Sequence, residues 1–147
     1  MECHDIRALT LHRPWSDAIA TGQKRIENRP WKPWPKIIGR DIAIHAGKQY
    51  DHKGARYMLR SGIFHPPVDV LSPTGVVAIV TVAGFVSEID HENPWFFGPY
   101  GWILKNVRRL TKPIHCSGRQ GLWRVPNDVV RELQKLEVGH GLEVRDF

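Results

Sequence analysis

Apolar and polar positions divide the chain into short pieces separated by proline and glycine. Residues 6–11 place Leu9 and Leu11 on one face, which predicts a strand. Residues 14–21 carry Trp15, Ala18 and Ile19 at helical spacing, with Pro14 at the start and Gly22 just past the end, which predicts a short helix. Residues 25–29 read as a half-exposed strand around Ile26, and Pro30, Pro33 and Pro35 then break regular structure. In residues 39–46, Ile42 and Ile44 share one strand face, and His45, Asp41 and Ala43 share the other. Residues 48–59 suit a helix weakened by Gly54, and residues 65–72, with Pro66 and Pro67, suit a loop. The valine-rich stretch 74–89 predicts a long buried strand bent at Gly84, and residues 101–110 and 121–125 add two more strands. Residues 126–136 predict a helix, with Asn127 as a candidate cap and Val129, Val130 and Leu133 on one side. The last 11 residues read as a polar tail.

Strands outnumber helices, and regular βα alternation is missing. The expected class is mainly β with α (α+β): a small β-barrel or strongly curved sheet decorated by helices. The 147 residues suit one domain, 1–147, with a core at about 6–126. The longest apolar stretch, residues 75–86, is too short to cross a bilayer, so no membrane partner is expected. The first residues are polar and acidic, without the apolar run of a secretory leader, and Cys3 and Cys116 do not suggest a disulfide framework. A cytoplasmic setting is the expectation.

The net charge is +6, and its excess is uneven. Residues 1–60 hold 12 Lys/Arg against 6 Asp/Glu, residues 61–100 hold none against 4, and residues 101–125 hold 6 against none. If the fold joins the two basic segments, they form a surface attractive to phosphate; a generally basic, solubilising surface is the alternative.

Several chemistries are unsupported. The eight histidines lack the paired spacing of a metal site, and no nucleophile elbow, phosphate loop or dinucleotide fingerprint occurs, so neither metal nor cofactor is expected. The aromatics offer more. PWFFGPYGW, residues 94–102, either packs inward or lines a pocket where flat rings beside cations stack on a base. In GQKRIENRPW, residues 22–31, a regular strand puts Arg25, Glu27 and Arg29 on one face. Two arginines would hold Glu27 ionised, and Lys24 beside it could bind a polar ring or share a proton; a solvated strand of screened charges is the plainer reading.

The segment Leu9-Thr10-Leu11-His12-Arg13-Pro14-Trp15, followed by Gly22-x-Lys24-x-x-Glu27-x-Arg29, resembles the opening of the ASCH domain family, whose G-x-K-x-x-E-x-R hallmark is complete here. Further matches are Ile42-Ala43-Ile44-His45-Ala46, Gly75-Val76-Val77-Ala78, the aromatic segment 95–102, Lys112-Pro113-Ile114 and Gly118-x-Gln120-Gly121-Leu122-Trp123. The resemblance spans roughly residues 6–126. It implies a PUA-like β-barrel whose hallmark lines a cleft beside the first helix, in a family linked to RNA processing, transcription coactivation and nucleic-acid metabolism. Lys24, Glu27 and Arg29 are the implied ligand-facing residues, with Trp15 and His45 nearby.

Three functions follow as expectations. The first is binding of RNA, other single-stranded nucleic acid or a modified nucleoside: Lys24, Glu27 and Arg29 read polar edges, Trp15 and Trp95 stack, and Lys105, Arg108 and Arg109 steer the backbone. The second is a hydrolase acting on a modified nucleoside or on RNA, with Lys24 and Glu27 catalytic. Some ASCH-like amidohydrolases resemble the chain at Lys24, but they carry threonine at the position of Glu27 and use a further glutamate, for which Glu88 and Glu92 are candidates. The third is a protein-interaction domain docking through the aromatic loop.

Overall fold

The computed structural model describes residues 5–87 and 92–145. Its secondary structure is mixed α+β and mostly β: seven strands in one sheet, with three α-helices. The strands are β1 (Arg7–Arg13), β2 (Ile26–Arg29), β3 (Asp41–Tyr50), β4 (Gly75–Ser87), β5 (Tyr100–Ile114), β6 (Leu122–Arg124) and β7 (Leu142–Val144). The helices are α1 (Trp15–Ala20), α2 (His52–Ser61) and α3 (Asn127–Val138). No helix among the described residues is long and apolar enough to cross a membrane.

The strand order is β2-β5-β4-β3-β1-β6, with β7 on β5. β1 and β3 pair in parallel, and the other pairings are antiparallel. Alternation along the strands sends side chains to two cores. Leu9, Leu11, Ile42 and Ile44 join Ile19 of α1 and the fully buried Trp102 on one face. Ala8, Ala43 and Ile79 face Val129, Val130 and Leu133 of α3 on the other. Burying each large aliphatic side chain contributes about 1.5–3 kcal/mol, so these stripes hold the helices to the sheet. A third cluster, Ala18, Ile26, Met58 and Trp95, lies where α1, α2 and β2 meet.

The expected closed barrel is not formed by strand pairing among the described residues: β2 and β6 remain the ends of the order. β6 covers only Arg7, Ala8 and Leu9, so among the described residues the second half of β1 has an open edge. The sheet nevertheless curls back on itself, because Arg29 Nη2 of β2 donates to the Thr10 carbonyl of β1 at 3.4 Å. A seam is left between β2 and β1.

Four other expectations need correction. The helix expected from residue 48 begins at His52, because β3 runs on to Tyr50 and Asp51 caps the helix by accepting the Gly54 N–H at 2.9 Å. Asn127 is the first residue of α3 rather than its cap, and Pro126 precedes it. The loop at 65–72 holds a 3-10 turn at Asp69–Leu71. The polar tail forms β7, whose Leu142, Glu143 and Val144 pair with Leu110, Arg109 and Arg108. The long strand is observed to Ser87, and the remainder of its expected range, 88 and 89, lies outside the described residues.

Candidate functional site

The hallmark residues reach the seam through local geometry. Gly22, at φ 88°, ends α1 with its N–H on the Ile19 carbonyl at 2.9 Å, a left-handed conformation suited to glycine. The Lys24 N–H then bonds the Ala18 carbonyl at 2.9 Å, which fixes the lysine against the helix before β2 starts. Ile26 turns into the third core, and Glu27 turns into the seam.

Lys24 is 2% exposed and Glu27 8%. Lys24 Nζ donates to Glu27 Oε1 at 3.0 Å and to the Ile26 carbonyl. Arg29 Nε donates to Glu27 Oε2 at 3.0 Å. Each carboxylate oxygen therefore has its own cation, and such charge-assisted bonds fix its orientation. The expected bracket of two arginines is a lysine and an arginine instead, and the Arg25 guanidinium bonds the carbonyls of Gly22 and Arg145.

These residues line a cleft of about 350 Å³ together with Thr10, Leu11, His12, Trp15, Asn28, Asp51 and Phe97. That is the small end of the ligand-pocket range of about 300–1,000 Å³. Trp15 is oriented by its indole N–H, which donates to Asp51 Oδ2 at 2.8 Å. Burial would raise the Asp51 carboxyl, but the bonds from Trp15 and the Gly54 backbone outweigh it and hold the group below the ordinary carboxylate value. Phe97, 57% exposed, stands edge-on to Trp15 with ring centres 6.1 Å apart. Asn28 ties this aromatic to the hallmark strand: its Oδ1 accepts the N–H groups of Phe97 at 2.7 Å and Gly98 at 3.2 Å, and its Nδ2 donates to the Trp95 carbonyl at 2.9 Å.

Trp95, expected to stack on a ligand, is only 6% exposed and packs with Ala18, Ile26 and Met58 beneath the cleft. An indole with that many apolar neighbours is more stable inside than at an open mouth. Phe97 takes the lining position instead. Nothing in the composition of PWFFGPYGW distinguishes the two rings, whereas Asn28 and Asp51 left weak signals as a polar residue in a strand and an Asp three residues before a glycine.

His45 borders a neighbouring groove of about 990 Å³ rather than the cleft. Its Nε2 lies 2.8 Å from the Cys116 carbonyl, which can only accept, so Nε2 carries the proton. Nδ1 then accepts from the Thr10 hydroxyl at 3.3 Å, and that hydroxyl accepts from the Trp123 indole at 2.9 Å. Burial pushes the His45 imidazole below its ordinary value, against the opposing bond to Cys116.

The expected basic strand lies on β5. Lys105 is exposed, while Arg108 is held by Asp41 through Nη1–Oδ2 at 2.9 Å and Nη2–Oδ1 at 2.8 Å. Arg109 borders a hollow with Asp17. None of the three lines the cleft or the groove beside it. Glu92 is exposed, and Glu88 lies outside the described residues. No cluster of three or more His, Cys, Asp or Glu suited to a metal occurs among the described residues.

A family model described as the ASCH domain matches residues 9–114. No curated protein matches the chain.

Proposed function

Because the chain belongs to the ASCH domain family, a PUA-like family generally associated with RNA binding, we propose that its seam cleft recognises a nucleobase, plain or modified, of an RNA chain. The observation that carries this reading is the buried Lys24–Glu27 pair, with the half-buried Arg29 on its other carboxylate oxygen, opening onto a ligand-sized cleft. An ammonium has three donors, and two of those on Lys24 are occupied by Ile26 and Glu27. The third has no partner among the described residues and suits a base carbonyl or ring nitrogen. The fixed Glu27 keeps lone pairs for an exocyclic amine, and Arg29 extends the donor edge. Trp15 and Phe97 give apolar faces at the mouth, as base recognition requires. The curl of the sheet fits the β-barrel of PUA-like domains, with the cleft in its unpaired seam.

The hydrolase reading has less support. Glu27 and Asp51 are the carboxylates in the cleft lining among the described residues, and Asp51 is committed to Trp15 and Gly54. Acid-base chemistry on a bound ligand needs a group within reach of the transferred proton. The docking reading loses Trp95 to the core.

Titration with single-stranded RNA and with a panel of nucleosides tests the proposal. Binding that falls at least tenfold in Lys24→Met and Glu27→Gln is expected. RNA affinity equal to wild type in both folded variants refutes it, and turnover of an N-acylated nucleoside that Lys24→Met abolishes would replace binding with hydrolysis.

A further inference from the structure

The cleft does not end at Arg29. Thr10, His12 and Arg29 line both the cleft and the larger groove, so the two hollows share a wall. The groove is built from the open edge of β1, the end of β3 and the glycine-rich segment 115–121. Its lining holds Arg29, Lys48, Arg119 and three histidines, and no aspartate or glutamate among the described residues. A cation-lined concavity focuses its field on an anion. Gly118 lies close enough to His45 and Thr10 that a Cβ there would come within 2.7 Å of both, so segment 115–121 is seated against the wall. One aromatic side chain also borders the groove. Trp31 is in the lining and 38% exposed, and it is held by Trp102, whose indole donates to the Trp31 carbonyl at 3.0 Å and whose ring centre lies 5.5 Å away in an edge contact.

We propose that this groove is a second nucleotide subsite, with Trp31 as its stacking platform and Arg29, Lys48 and Arg119 as its phosphate contacts. The inference rests on base recognition in the cleft and extends it: the ligand is a single-stranded polynucleotide, not a free nucleoside. The base seated against Lys24 and Glu27 is linked past Arg29 to a neighbour held in the groove. An acidic protein segment would use the cations but has no need of a flat, braced indole beside them, which favours a nucleotide.

The test compares affinities for a nucleoside, a mononucleotide and short single-stranded RNA and DNA, in wild type, Trp31→Ala, Arg119→Glu and Lys24→Met. Circular dichroism confirms folding, and Trp31→Phe serves as a conservative variant that retains a stacking face. The expected result is oligonucleotide affinity about tenfold weaker in Trp31→Ala, substantially restored in Trp31→Phe. Arg119→Glu should weaken oligonucleotide binding and flatten its salt dependence by at least about one phosphate contact. Nucleoside affinity should be unchanged in these groove variants. Oligonucleotides that bind no tighter than mononucleotides, or that are indifferent to both groove substitutions, overturn the subsite. Equal displacement by polyglutamate overturns it in favour of an acidic protein partner. A Lys24→Met variant with wild-type affinity for nucleosides overturns the cleft reading alone, since the groove variants are scored against oligonucleotides.

Discussion

Lys24 Nζ lies 3.0 Å from Glu27 Oε1, in a pair almost wholly removed from solvent yet bordering an open cleft. Removing one partner of a buried pair strands the other charge, at a cost of about 3–5 kcal/mol. Glu27→Gln should therefore lower stability by about that amount, less whatever the amide oxygen recovers by accepting from Lys24. Glu27→Gln combined with Lys24→Met should recover the part of the loss due to the stranded ammonium, while Arg29, partly open to solvent, still lacks its carboxylate. Urea denaturation of Glu27→Gln, Lys24→Met and the double variant checks the coupling.

Asn28 controls the aromatic mouth. Asn28→Ala removes its bonds to Trp95, Phe97 and Gly98. Global stability should fall by about 1–2 kcal/mol. Hydrogen exchange should speed up at the Phe97 and Gly98 amides well before it does in β4, while Trp95 stays buried.

Arg13 ties the end of β1 to its surroundings. It is 6% exposed, donates to the carbonyls of Gly47, Lys48, Asp69 and Ser72, and pairs with the Asp69 carboxylate at 2.8 Å. Asp69 is half exposed, so the cost of Arg13→Met lies in the carbonyls left without a donor, about 1–3 kcal/mol, and Arg13→Lys should recover little, because an ammonium cannot span the same fan of acceptors. Thermal unfolding of both variants decides.

His45 gives stability a pH dependence. Burial lowers its folded value below the ordinary 6.5, so as pH falls the unfolded chain takes up the proton first. The His45 contribution to stability should be constant above about pH 7.5, decline as pH falls through 6.5, and level off below the lowered folded value. Denaturant midpoints from pH 8 to pH 5 should fall less steeply in His45→Gln than in wild type.

Arg108 is engaged by Asp41, whereas Lys105 is exposed. Burial favours protonation of Asp41, but the bonds from Arg108 and Thr81 outweigh it and hold its carboxyl below the ordinary value. Arg108→Ala should destabilise the fold by about 1.5–3 kcal/mol and leave RNA affinity within twofold of wild type. The stabilising pair itself is lost as pH falls below 3.8 and through the lowered folded value of Asp41. Melting curves and RNA titration on one preparation separate the two effects.

Much of this was legible in the sequence. Period-two alternation around Leu9, Leu11, Ile42 and Ile44 marks strands whose two faces are buried differently, and Pro14 with Gly22 brackets a helix. The hallmark spacing brings Lys24 and Glu27 together because the chain leaves α1 through one glycine turn. What was not legible depends on contacts distant in sequence. The choice of Phe97 over Trp95 at the mouth is set by Asn28, 69 residues before Phe97, and by the apolar floor of Ala18 and Met58. The commitment of Arg108 to Asp41 spans 67 residues. β7 has too few residues for periodicity to register, and it forms because β5 offers it an unpaired edge.

That edge has a further consequence. β2 and β7 occupy it end to end: the Leu104 N–H bonds the Arg25 carbonyl, the Arg145 N–H bonds the Val107 carbonyl, and Arg25 Nη2 bridges to the Arg145 carbonyl where the two segments meet. A segment that completes a sheet by main-chain pairing can be supplied as a separate peptide. A peptide of residues 139–145 should therefore complement a chain cut after residue 138. A dye at its far end would sit at the threshold of the hallmark strand and act as an optical gauge of what enters the seam.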